Sequence, residues 1–431
     1  MRATTHHIPG LVLTDHEFSI PLDHTQPGGE HITVFAREVV GTGREDVDLP
    51  WLVFFQGGPG FASPRLEDTG GWWMRAVKEY RLLLLDQRGT GLSTPVNYQT
   101  LARFDSPQAQ ADYLMHFRAD AIMQDAEWIR RELIGDDGRW SALGQSYGGF
   151  CIAHYLSAAP DGLREAMITG GLPPLDRSAG DVYRATYQRV IEKNRLYYKR
   201  YPGDVARVRE IADYLAAHEV HLPGGGRLSP RRFQQLGSIF GMSYGFERIH
   251  YLVEEAFVTG ASGKELSYAF LRGVENAAPF EANPIYAILH EAIYCQGQAS
   301  NWSAERIRPE YPEFDPSRER PMYFTGEMIY PWMFDEYEYL SPMKGAAEIL
   351  AAHDGWPRLY DPEVLQSNAV PCAAAVYYND MYVERAYSEE TARRIRGLKV
   401  WVTNEYEHNG LRADGERILD RLLKMARGEI D

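Results

Sequence analysis

The stretch Trp140-Ser141-Ala142-Leu143-Gly144-Gln145-Ser146-Tyr147-Gly148-Gly149-Phe150 decides how this chain is read. Residues 140–143 read as a short strand, and residues 150–158 read as a helix. Between them a serine stands in Gly-x-Ser-x-Gly. That pattern alone is weak in a chain with 39 glycines. The strand–turn–helix setting makes it specific, because such a turn lifts a serine hydroxyl clear of the backbone. Gly144 and Gly148 are needed where a Cβ would meet neighbouring backbone. The helix N-terminus after Ser146 favours negative charge developing there. A plain glycine-rich turn is the bland alternative.

Outward from this turn the pattern repeats. Residues 51–55 and 81–85 are apolar runs bounded by Gln56-Gly57-Gly58-Pro59-Gly60 and Asp86-Gln87-Arg88-Gly89. Runs of that length, stopped by Gly and Pro, suit strands buried on both faces. Residues 16–20 and 31–40 read as a leading hairpin. Ile122, Ala126, Ile129 and Leu133 recur at helical spacing, and residues 166–169 read as strand. Strand and helix in alternation give an α/β class with a parallel sheet. After Pro173-Pro174 the character changes to long helical stretches rich in Tyr, Arg, Glu and Trp. Gly224-Gly225-Gly226 marks a loop inside them. Strand patterns return at 373–378 and 399–403, and a last helix places Ile418, Leu419, Leu422 and Leu423 on one face. The expected organisation is a core in two parts, 1–174 and 366–431, with a mainly helical cap at 175–365.

A serine needs a base to take its proton. In α/β-hydrolase sheets the chain order is Ser, acid, His. Of 13 histidines, His408 alone follows His353, in a loop between the last strand and the last helix. Asp380 ends the 373–378 run and is the expected acid. It would hold the imidazole tautomer and stabilise the imidazolium. Asp361, Glu363 and Glu384 are rivals, none of which directly ends an apolar run. Two backbone N–H groups must face the oxyanion. Tyr147, after the nucleophile, and Gly57, in the glycine loop after residues 51–55, are the expected donors.

Composition limits the partners. Hydrophobic residues at 44% support a large core. The 45 Lys and Arg against 60 Asp and Glu give a net charge of −15, which argues against nucleic acid. Cys151, Cys295 and Cys372 are too few and scattered for a disulfide framework or a zinc site, so a reducing, cytoplasmic setting is expected. Cys151, on the helix after Ser146, reads as a packing residue. No leader is visible, and the apolar run at 82–85 is far shorter than the roughly 20 residues of a membrane helix. The six histidines before residue 117 show no metal spacing. Nothing resembles a phosphate or dinucleotide loop. No cofactor, no metal and no membrane partner is expected, and homo-oligomer formation is left open.

Four segments together resemble the proline iminopeptidases (prolyl aminopeptidases), specifically their larger bacterial subgroup. Residues 56–60 look like that family's HGGPG loop, with Gln56 in place of His. Residues 86–93 look like its DQRGxGxS segment, and residues 144–149 match its serine turn. Asp380 and His408, 28 residues apart, match its acid and base in order. The resemblance implies an α/β-hydrolase fold: a mostly parallel eight-stranded sheet, helices on both faces and an inserted helical cap. It implies a serine exopeptidase that releases N-terminal proline from small peptides through an acyl-enzyme. An aminopeptidase of other specificity or a carboxylesterase is the alternative. Asp86 and Arg88 are expected to brace the site. A protonated imino group demands a carboxylate partner in the cap. Glu291 resembles the family's Glu-x-x-Tyr segment, and Glu327 lies in similarly aromatic sequence. Both are expected to bind the amine, ahead of Glu247, Glu254 and Glu255 on a more polar helix. Phe61, Tyr147, Tyr294 and Trp332 are candidates for an apolar slot around the ring.

Overall fold

The computed structural model describes residues 2–67, 70–261, 263–317 and 321–431. Eleven strands occur among these: β1 (Arg2–Ile8), β2 (Leu11–Pro21), β3 (His31–Gly41), β4 (Trp51–Phe55), β5 (Arg81–Leu85), β6 (Trp140–Gln145), β7 (Leu163–Thr169), β8 (Phe257–Gly260), β9 (Gly263–Leu266), β10 (Cys372–Tyr377) and β11 (Leu398–Thr403). Nine form one sheet in the order β1-β2-β3-β5-β4-β6-β7-β10-β11. The leading three strands are antiparallel, and every pairing from β5 to β11 is parallel. The sheet is therefore one strand larger than expected. The extra strand is β1, whose residues 4–7 are all exposed. It pairs with β2 through its backbone and carries no buried alternation to betray it.

The parallel strands are covered on both faces, as their apolar runs require. Leu52 and Phe54 of β4 join one core, while Val53 and Phe55 join the other. The helix Gly415–Ala426 covers the first face with Ile418, Leu419, Leu422 and Leu423, all fully buried. Burying each such side chain is worth roughly 1.5–3 kcal/mol, so this stripe fixes the helix on the sheet. The helices Ala119–Ile134 and Tyr147–Ala158 cover the opposite face.

Among the described residues, no strand of the large sheet lies between Thr169 and Cys372. That stretch is mainly helical and includes Ala179–Arg200, Gly245–Glu254 and Tyr268–Ala277, with the small hairpin β8–β9. Tyr183, Tyr187, Phe240 and Phe324 continue the second core into it. No described helix is long and apolar enough to cross a membrane.

Candidate active site

The carboxyl ends of parallel strands are where open α/β sheets bind ligands. Ser146 follows β6, with φ 56° and ψ −126°. A non-glycine residue in this region is held there only by its surroundings. The surroundings leave no room for an alternative. A Cβ on Gly148 would stand 2.0 Å from the Phe55 carbonyl oxygen at the end of β4. The Ser146 N–H donates to the Thr169 carbonyl at 2.9 Å, tying the turn to β7.

Asp380 and His408 follow β10 and β11, which are paired neighbours. His408 Nδ1 lies 2.7 Å from Asp380 Oδ2. The other carboxylate oxygen, Oδ1, accepts from the N–H groups of Tyr382 and Val383 at 2.8 and 3.1 Å. The Tyr382 ring packs on the imidazole, with centroids 4.6 Å apart. Burial pushes the His408 pKa down, but the charge and hydrogen bond of Asp380 outweigh it and hold the pKa above 6.5. Two of the three rival acids are occupied elsewhere. Glu384 pairs with Arg189, and Asp361 caps the short helix Pro362–Gln366.

The glycine loop after β4 lies against Ser146. A Cβ on Gly57 would stand 2.8 Å from Ser146 Cβ and 3.5 Å from its Oγ. The loop is braced from below, because Gln87 Nε2 donates to the Gln56 carbonyl at 3.0 Å. Asp86 is fully buried and accepts from the N–H groups of Ser63 and Leu92, each at 3.0 Å. Arg88 is buried and donates from Nε to Asp125 at 2.7 Å and from Nη1 to the Leu22 carbonyl at 2.8 Å. These two residues thus brace the loops, as expected. Cys151 is fully buried among apolar residues.

A cavity of about 290 Å³ opens over this edge of the sheet. Gln56, Gly57, Ser146 and His408 form its floor, and Ile239, Met242, Phe280, Tyr286 and Ile329 give it apolar walls from the insertion. One carboxylate, Glu327, also lines it. Its side chain is only 15% accessible. The Tyr286 hydroxyl donates to it, and His290 Nε2 lies 3.7 Å away. Burial raises the Glu327 pKa to about 7, against the pull of the Tyr286 hydrogen bond and of His408. Burial also lowers the His290 pKa to about 3, so His290 is a neutral neighbour. A carboxylate in an apolar wall that shares the cavity with a serine and an imidazole can accept a cation.

The profile described as the alpha/beta hydrolase fold matches residues 50–214. A proline iminopeptidase from Aeromonas sobria is 51% identical over 429 residues, covering 99% of this chain and 100% of its own. The chain belongs to the proline iminopeptidase family. A further proline iminopeptidase, aneH from Aspergillus aculeatus, is 36% identical over 99% of this chain and 96% of its own. A solved proline iminopeptidase from Mycobacterium smegmatis is 13% identical, covers 96% of this chain and 100% of its own, and superposes with a TM-score of 0.46.

The second cap glutamate lies away from this cavity. Glu291 does not line the cavity. Its Oε2 and Oε1 accept from the N–H groups of Ser303 and Ala304, each at 2.9 Å, at the start of the helix Ser303–Ile307. Those N–H groups have no partner within a helix and must find one outside it. The amine-binding expectation for Glu291 is corrected on this ground. The weaker candidate Glu247 is bound to Arg200 and Tyr201. Of the four slot candidates, Phe61 lines the cavity, whereas Tyr147, Tyr294 and Trp332 do not. Tyr147 and Trp332 are buried in the surrounding packing, the latter stacked on Tyr330. Sequence reading missed Tyr286, Phe280 and Tyr382. Tyr286 was findable, since it lies five residues before Glu291 in the same aromatic stretch. No local signal marks Phe280 or Tyr382.

Proposed function

We propose that the protein is a serine exopeptidase releasing N-terminal proline from peptides, with residues 175–365 as its cap. Ser146 Oγ attacks the prolyl carbonyl carbon. His408 takes the hydroxyl proton on Nε2 while its Nδ1–H donates to Asp380. The backbone N–H groups of Gly57 and Tyr147 hold the oxyanion; losing one such donor typically costs about 3 kcal/mol of transition-state stabilisation. The imidazolium returns its proton to the leaving amine, and water then releases proline from the acyl-enzyme.

Glu327 is the observation that carries this reading. Its carboxylate shares the cavity with Ser146 and His408. A protonated imino group beside it neutralises a charge that burial disfavours. That pairing demands a free N-terminus and makes the enzyme an exopeptidase. The three cysteines are buried and unpaired, which fits a cytoplasmic setting.

Hydrolysis of proline 2-naphthylamide and its N-acetyl derivative by the purified protein tests the reading. The substrate with the free imino group should be cleaved at least about 100-fold faster, as expected for a charge-assisted contact of about 3 kcal/mol. Equal rates would exclude the amine clamp. Cleavage of neither, with a p-nitrophenyl ester turned over, would favour a carboxylesterase.

A further inference from the structure

Two arginines stand at the cavity and face no carboxylate. Arg248 and Arg412 both line it, and both are exposed. Among the described residues neither guanidinium takes part in an ion pair or side-chain hydrogen bond. Their acidic neighbours along the chain are taken: Glu247 by Arg200 at 2.6 Å, Glu407 by Lys193 at 2.6 Å and Asp414 by the Tyr406 hydroxyl at 2.6 Å.

The two residues are also held in a fixed relation to the nucleophile's base. Arg412 lies four residues after His408, in the short helix Gly410–Ala413. Arg248 lies one turn into Gly245–Glu254. The segments are joined at their starts, because the His408 N–H donates to the Gly241 carbonyl at 3.1 Å. Asn409 Oδ1 accepts from the Ser243 N–H at 3.0 Å and from its hydroxyl at 2.9 Å. The cavity therefore has a carboxylate sunk in its wall and two guanidinium groups exposed to solvent.

We propose that Arg248 and Arg412 form a subsite for the C-terminal carboxylate of short peptides. This rests on the exopeptidase reading. With the imino group held at Glu327 and the scissile carbonyl at Ser146, the leaving chain runs outward, gaining about 3.4 Å per extended residue. A short substrate then brings its carboxylate to the mouth, where guanidinium groups match it in charge and in planar geometry. A long peptide or an amide brings no charge there. The protein would thus act late in peptide breakdown, on products that endopeptidases and other exopeptidases have already shortened.

The test compares kcat/KM for proline release from Pro-Gly, Pro-Gly-Gly and Pro-Gly-Gly-Gly, each as free acid and as C-terminal amide. Proline 2-naphthylamide serves alongside as the measure of the basic activity. At one length or more the acid should be preferred about two- to fivefold, as for exposed ion pairs. The preference should shrink at high salt and fall to about one in the Arg248→Gln/Arg412→Gln double variant. The acid-to-amide ratio is internal to each enzyme, so a general loss in the variant does not obscure it. A wild-type ratio near one at every length overturns the subsite, provided the naphthylamide is cleaved. If it is not cleaved, the exopeptidase reading itself fails. A preference that survives in the double variant also overturns the subsite. So does a Pro-Gly-Asp amide turned over as fast as the Pro-Gly-Gly acid, since the carboxylate recognised would then be a side chain.

Discussion

Two groups at the site must lose protons before it works. His408 must be neutral to accept the Ser146 proton, and Asp380 holds its pKa above 6.5 against the effect of burial. Glu327 must be ionised to hold a cation, and burial places its pKa near 7. Both conditions improve as pH rises, so kcat/KM for proline amides should climb on the acid side with two proton dependencies. Glu327→Gln removes one of them together with the cation's partner. The amide-to-ester ratio of kcat/KM should fall about 100-fold, the loss of a charge-assisted bond of about 3 kcal/mol. The acid limb of the variant should report His408 alone. An unchanged limb, measured on proline 2-naphthylamide between pH 5 and 9, would contradict the role of Glu327. At this scale the grouping of Ser146, Asp380 and His408 was legible because the proposed chemistry fixes their order and strand ends fix their places. Glu327 and Glu291 were not separable. Both sit in aromatic sequence, and what distinguishes them is which way each carboxylate faces in the folded cap.

The helix Ser303–Ile307 begins at Trp302, which has φ 53° and gives no side-chain cap. Glu291 supplies the missing acceptor from twelve residues earlier. Glu291→Ala should leave two buried N–H groups unpartnered and destabilise the protein by about 2–3 kcal/mol. Urea unfolding would measure this as a lower midpoint. The pH profile of kcat/KM for proline 2-naphthylamide should keep both proton dependencies, whereas an amine-binding residue would change its shape. Caps of this tertiary kind leave no trace at adjacent positions, which is why a glutamate that resembles a binding motif proves to be a structural one. Elements with local causes were far more legible. β4, β5 and β6 stood out as apolar runs stopped by glycine, and the last helix by its stripe of Ile418, Leu419, Leu422 and Leu423. β1 escaped because an exposed edge strand needs backbone partners and no apolar side chains.

The carboxylate proposed to bind the substrate's cation also sets part of the pH dependence of the whole fold. In the unfolded chain Glu327 titrates near 4.5, and in the folded protein near 7. Below pH 4.5 the carboxyl is protonated in both states, and burial carries no electrostatic penalty. Between 4.5 and 7 the unfolded chain releases the proton while the folded chain retains it, so stability falls as pH rises. Above 7 both states are ionised and the full penalty remains. A shift of this size corresponds to about 3 kcal/mol. Other carboxylates act in the opposite sense, among them Glu38, Glu127 and Glu165. Their pKa values are lowered because hydrogen bonds and charged partners outweigh burial. Total stability therefore does not isolate Glu327, but a difference between two proteins does. Glu327→Gln keeps the shape and a partner for Tyr286 while removing the charge. Its stability relative to wild type should rise by about 3 kcal/mol between pH 4 and pH 8, with the change centred between 4.5 and 7. Paired urea titrations across that range measure it. A difference independent of pH would mean that Glu327 titrates alike in the folded and unfolded chain, so that burial in the cavity puts no penalty on its charge.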